Sequence, residues 1–409
     1  MTAAEATTGS RVAGGARLVV VLGSVNAIGP LSIDMYLPAF PEIAREFDTA
    51  ASSVQLTLTA CVAGLALGQL VIGPLSDRVG RKLPLVAAMA TYAVASLLCA
   101  TATSIGALIA LRFVQGLAGA GGIVIARAVV RDLHSGVAAV RLFSSLMLVT
   151  GLAPILAPVV GAQLLALTSW EGIFVTLAIL SALITTLAAF GLPETLPPER
   201  RSTQGLRRTL RTMGSLLRNR TFIGHGLASG LTFGALFAYI SGSSFVLQGI
   251  YGMSPQLYSL AFAMNGLGLI AASQVNAHLV GRVGPTRLLR RALACVLTSA
   301  VTLLVVVSVG GLSVWALLVP MFVIVSSLAF VLPNATALAL ADHPEVAGTA
   351  SALLGVVQFM VGAVAAPLVG VGGPETAVPM GAVMVVLALG AVAAHRATGR
   401  RRPWRLRPA

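Results

Sequence analysis

The sequence predicts an all-α membrane protein, with twelve transmembrane helices in two pseudo-symmetric bundles of six. Three observations predict it. Of 409 residues, 57% are hydrophobic and only 10% charged, and mean hydropathy is +0.93. That leaves too few charges to solvate the surface of a water-soluble domain. Apolar runs of about 20 residues, the length that crosses a bilayer, recur along the whole chain. The basic residues gather in alternate connections between those runs, as membrane topology demands.

The elements follow in order. Residues 1–17, "MTAAEATTGSRVAGGAR", are polar and lack a cleavage pattern, so they are expected as a cytoplasmic tail rather than a secretory signal. Spans are expected to begin near Leu18, Ser53, Leu83, Ser104, Leu142 and Trp170, making a first bundle over 18–192. The longest polar stretch, "PETLPPERRSTQGLRRTLRTMGSLLRNR", supplies a cytoplasmic linker over 193–220. A second bundle over 221–396 has spans beginning near Phe222, Pro255, Leu288, Leu312, Ala347 and Ala377, and a basic cytoplasmic tail closes the chain over 397–409. With both termini inside, only Arg45 of the 27 Lys and Arg residues lies outside, and only Arg112 lies deep in a span. Arginines of the linker and tail are expected on the anionic inner leaflet.

The halves also repeat. "GPLSDRVGRKL", Gly73 to Leu83 between spans 2 and 3, returns as "AHLVGRVGPTR", Ala277 to Arg287 between spans 8 and 9. Asp77 becomes Gly281, while Arg78-Val79-Gly80 is kept as Arg282-Val283-Gly284. Paired six-span halves of this kind are the build of alternating-access transporters.

Other classes fit badly. A phosphate-binding loop needs Gly-Lys before Ser or Thr, and the sole lysine, Lys82, stands between Arg81 and Leu83. The five histidines are scattered, with no zinc-type pair, and there is no GxSxG. "GLGLIA" at Gly266 lies inside a span, where it serves helix packing. Cys61, Cys99 and Cys295 all fall in apolar runs, an odd set that argues against disulfides and metal. No enzyme, no metal, no cofactor and no nucleic-acid partner are expected; the net charge of +14 follows topology.

Three motifs carry a resemblance. Gly73-Pro74-Leu75-Ser76-Asp77-Arg78-Val79-Gly80-Arg81-Lys82 is similar to the signature loop of the major facilitator superfamily. Gly73 and Gly80 allow a tight turn, and Asp77 can cap or pair at the start of span 3. The resemblance implies a gating loop in which Asp77, with Arg78, Arg81 and Lys82, holds the cytoplasmic side in one state. In span 4, Arg112, Gln115 and Gly116 of "LIALRFVQGLAGAGG" resemble the superfamily's Arg, Gln and Gly motif. Span 5 carries "GLAPILAPVVGA", with Gly151, Pro154, Pro158 and Gly161, similar to the antiporter motif of drug exporters although two of that motif's glycines are missing. "SIDMYLPAFPEI" in span 1 and "LPET" after span 6 resemble the bicyclomycin and chloramphenicol resistance branch of drug:proton antiporters.

Within span 1, Asp34 is the one carboxylate inside any predicted span. Inserting it costs about 2.5–3.5 kcal/mol, and such residues face a bundle interior or a watery cavity. It lies at the depth of Arg112, so the two are expected to pair and to couple transport to protons; a static buried ion pair is the alternative. Asn26, Tyr36, Gln115, Phe233, Phe237, Tyr239, Asn265, Asn334 and Gln358 are candidates for the substrate cavity. The expected function is proton-driven efflux of small, partly apolar compounds by a monomer in a bacterial inner membrane. A narrow metabolite exporter or uptake carrier, and less readily a receptor or channel, are the alternatives.

Overall fold

The computed structural model describes residues 20–133, 136–201, 206–311, 313–343, 346–373 and 375–398. They are overwhelmingly helical. The first helix, α1, spans residues 20–34 and is followed by α2 (Phe40–Glu46), α3 (Ala51–Val79), α4 (Lys82–Ala100), α5 (Ile105–Leu133), α6 (Gly136–Leu167) and α7 (Trp170–Gly191). Then come α8 (Leu206–Leu216), α9 (Arg220–Ser244), α10 (Pro255–Val283), α11 (Pro285–Val309), α12 (Val314–Leu340), α13 (Ala347–Leu368) and α14 (Val378–Ala397). Among the described residues, eleven helical segments are long and apolar enough to cross a bilayer, and α6 adds the shorter apolar stretch Gly151–Leu167.

The first span differs from the continuous helix that its apolar run suggests. Helix α1 stops at Asp34, Met35 and Tyr36 turn, Leu37–Ala39 form one tighter 3-10 turn, and α2 resumes at Phe40. Pro38 explains the stop. It has no N–H to give the Asp34 carbonyl four residues earlier, and its ring crowds that carbonyl. The signature loop is also mostly helix: α3 runs through Pro74 to Val79, leaving Gly80 and Arg81 as the turn before α4. The linker carries the amphipathic α8, whose Met213 and Leu216 are buried. Helix α9 ends in a wider π turn over Phe245–Ile250, where the Tyr251 N–H donates to the Val246 carbonyl at 3.1 Å.

The described residues divide into two compact units. One takes its described residues from within Met1–Phe47 and Ala60–Gly205, the other from within Asp48–Thr59 and Leu206–Ala409. In the first unit α4 packs on α5 and α7, and α3 lies against α5 at backbone distance. A methyl on Gly116 would stand 2.7 Å from the Cys61 carbonyl carbon, so only glycine admits this approach. In the second unit α9 packs on α12, α13 and α14, while α11 packs on α12 and α14.

Candidate functional site

Two clusters in the first unit hold the charged residues that the motifs single out. One is buried where α1 breaks. Arg112, fully buried on α5, donates through Nη2 to the Ser32 carbonyl at 2.7 Å and through Nη1 to Gln115 Oε1. Its guanidinium carbon lies 4.2 Å from the centroid of the Tyr36 ring and 5.5 Å from that of Phe174. Two desolvated ring faces of this kind contribute about 2 kcal/mol or more to holding a cation. The hydrogen bonds continue from Gln115 Nε2 to Ser96 Oγ (2.6 Å) and from Ser96 Oγ to the Tyr92 carbonyl (2.8 Å). Tyr92 and Ser32 hydroxyls meet at 2.5 Å. Because Ser32 Oγ donates to the Ile28 carbonyl, Tyr92 is the donor of that pair.

Asp34 ends α1 two residues beyond Ser32 and is 4% exposed. The expected pairing with Arg112 is not found. Arg112 instead satisfies the Ser32 carbonyl near the end of α1, a place that favours a cation. The Asp34 carboxylate makes no ion pair or hydrogen bond among the described residues. On the far side of the break, a methyl on Gly161 of α6 would stand 2.8 Å from the Met35 carbonyl carbon. The proline-bearing helix therefore presses directly on the turn that follows Asp34. Gly151, Pro154 and Pro158 occupy the same helix, both prolines inside it.

The second place is the α3–α4 turn. Arg81 donates through Nε to Asp132 Oδ2 at 2.8 Å and through Nη1 to Asp77 Oδ1 at 2.5 Å and Ser76 Oγ at 2.9 Å. Partial burial pulls the Arg81 pKa down, but hydrogen bonds and charge from Asp132 and Asp77 more than offset it and leave it raised. Thr195 Oγ1 reaches Asp132 Oδ2 at 3.4 Å. Arg78 and Lys82 flank this cluster, and no ion pair joins either among the described residues.

The second-unit candidates are engaged with one another or with near neighbours. Tyr239 Oη accepts from Asn265 Nδ2 at 2.6 Å and its ring stacks on Phe262. Asn334 Nδ2 donates to Asn276 Oδ1 at 2.7 Å, and Gln358 Nε2 to Ser229 Oγ at 2.6 Å. Phe233 and Phe237 cluster with Phe359. Asn26, on α1, is buried. Sequence reasoning missed Ser32, Tyr92, Ser96 and Phe174 around Arg112, and Asp132, Glu194 and Thr195 around Arg81. Hydroxyls and an aromatic spread over several apolar helices carry no spacing signal; Asp132, an acid beside Arg131 at a span end, carried a weak one.

Known proteins resemble this chain over most of its length. The sequence profile of the Major Facilitator Superfamily matches residues 22–367. An uncharacterised MFS-type transporter of Bacillus subtilis, YdgK, is 42% identical over 374 residues, 91% of this chain and 92% of its own. A bicyclomycin resistance protein homolog of Haemophilus influenzae is 35% identical over 88% of this chain and 91% of its own, and multidrug resistance protein D of Escherichia coli is 30% identical over 86% and 88%. Among solved structures, a bacterial homolog of the human lysosomal transporter Spinster, inward-facing and occupied, superposes with a TM-score of 0.76 at 14% identity, covering 93% of this chain and 95% of that one. This chain belongs to the Major Facilitator Superfamily and is a multi-pass membrane transporter of small molecules, not an enzyme.

Proposed function

We propose that this transporter expels small, partly apolar drugs or natural products from the cytoplasm in exchange for protons, with Asp34 as the proton carrier. One observation carries the proposal: a buried carboxylate with no ion pair or hydrogen bond among the described residues, at the break in α1. A carboxyl in such surroundings has a low cost of neutralisation, because no ion pair among the described residues holds it charged. Proton binding there removes a charge beside the turn against which Gly161 packs, so it bears on a hinge rather than on a rigid helix. The relatives named for bicyclomycin and multidrug resistance support the substrate class.

In this reading both termini are cytoplasmic, the membrane is the bacterial inner membrane, and the protein acts as a monomer without a cofactor. Asp77 and Arg81 gate the cytoplasmic side. One charge moving through about 100 mV yields about 2.3 kcal/mol, so each proton supports less than a hundredfold gradient. The test is efflux in inverted vesicles, using the compound whose toxicity the wild type relieves most in a pump-deficient host. Accumulation that collapses with a protonophore supports the proposal. Accumulation indifferent to a protonophore contradicts it.

A further inference from the structure

Helix α4 begins without help from its own cap. The residue at its cap position is Arg81, which makes no side-chain cap bond, yet the first N–H groups of any helix need acceptors. The acceptor comes from more than a hundred residues away. Glu194, just after α7, takes the Arg81 N–H on Oε1 at 2.8 Å and the Lys82 N–H on Oε2 at 3.2 Å. Its Oε1 also takes the Leu196 N–H at 2.9 Å, which folds the end of α7 over the turn. Gly80 makes room for this. Its φ of 113° suits glycine alone, and a methyl there would stand 2.9 Å from the Glu194 carboxyl carbon and 3.1 Å from Arg201 Nη2.

The second half supplies a control within the same molecule. Gly284, the counterpart of Gly80, keeps a positive φ of 85° and is the cap residue before α11, which opens on Pro285. A methyl on Gly284 would meet nothing within 4 Å. The positive-φ glycine is thus repeated, but the place of Arg81 falls to Pro285, which has no N–H to satisfy, and no carboxylate stands against Gly284 among the described residues. Two neighbours show what the carboxylate sets in place. Arg81, whose amide it holds, is the residue that bridges Asp77 and Asp132, and Thr195, the residue after Glu194, reaches Asp132.

We infer that Glu194 is a positioning residue of the gating turn: it caps α4 through the open side of Gly80 and so ties the end of α7 to the Asp77–Arg81–Asp132 cluster. Burial raises the pKa of its carboxyl, but the backbone donors of Arg81, Leu196, Lys82 and Thr195 outweigh that and hold it below the usual carboxylate range. The cap is therefore charged throughout the physiological range. The functional half of the inference rests on the gating reading of Asp77.

The test uses full-length protein in micelles and vesicles, with Glu194→Ala, Glu194→Gln and Asp77→Asn, and exposed Glu199→Gln as a control. Amide hydrogen exchange at Arg81 and Lys82 should quicken about fivefold or more in Glu194→Ala, less in Glu194→Gln, and not in Glu199→Gln. Turnover of the compound chosen by the susceptibility panel should fall in Glu194→Ala while its KM holds. Unchanged exchange in Glu194→Ala overturns the inference whatever Asp77→Asn does. Faster exchange with normal turnover, while Asp77→Asn is slow, overturns the positioning role and leaves the gating reading standing. Normal turnover in both variants overturns the gating reading itself.

Discussion

Two glycines of α6 should respond to the same substitution with opposite signs. A methyl at Gly151 would meet nothing within 4 Å, whereas one at Gly161 would stand 2.8 Å from the Met35 carbonyl carbon and 3.4 Å from its Cα. Ordinary carbon contacts lie at about 3.5–4.0 Å, so Gly161→Ala forces α6 and the α1 break apart by about 0.7 Å or more. Both are backbone atoms that no rotamer change can move. Overpacking of this kind costs about 1–3 kcal/mol. Gly151→Ala carries no clash and removes the helix penalty of glycine, so it should stabilise by about 0.5–1 kcal/mol. Unfolding titrations in mixed micelles, followed by tryptophan fluorescence, measure both. Efflux should also fail in Gly161→Ala, because the displaced turn carries Asp34 with it. If the two variants shift stability equally, the close approach of α6 to Met35 is not the constraint described, and the link between the proline helix and Asp34 goes with it.

Other substitutions probe the polar clusters. Arg112→Lys keeps the charge but cannot serve the Ser32 carbonyl, Gln115 and two ring faces together, so it should lose about 2 kcal/mol or more and most efflux; near-normal stability would contradict the fork geometry. Arg81→Lys should slow turnover with substrate affinity intact, because one ammonium cannot replace the separate Nε and Nη1 bonds to Asp132 and Asp77. For Glu194 the pKa is lowered, so its stabilising contribution is complete above the unfolded carboxyl range and is lost only as pH falls through the lower folded value. Protection factors at Arg81 and Lys82 should therefore stay flat from about pH 5.5 to pH 8. A fall in protection between pH 7 and pH 6 would contradict the cap.

The helices were the most legible part of the chain, because apolar length and proline or glycine punctuation are local properties. Span starts expected at Ser53, Leu83, Ser104 and Pro255 appear as helices beginning at Ala51, Lys82, Ile105 and Pro255. The break after Asp34 was written in Pro38, yet the apolar run around it masked the signal. Asp34 and Arg112 announced themselves as charges in greasy helices, but their relation did not. Whether an arginine takes a carboxylate or a carbonyl depends on how α1 ends against α5, and spacing along the chain does not encode that. Glu194 shows the same limit more sharply. Its partners are the N–H groups of Arg81 and Lys82, and a backbone donor leaves no residue-type signature at the donating end.

If Asp34 carries the proton, removing its ionisable group must separate exchange from accumulation. Inverted vesicles bearing wild type or Asp34→Asn are given an imposed proton gradient and the compound chosen by susceptibility, and accumulation is followed together with exchange in the absence of a gradient. Asparagine keeps hydrogen bonding but cannot take up or release a proton. Asp34→Asn should exchange the compound downhill but no longer accumulate it, while the wild type does both. Accumulation by Asp34→Asn against the gradient would contradict the carrier role of Asp34.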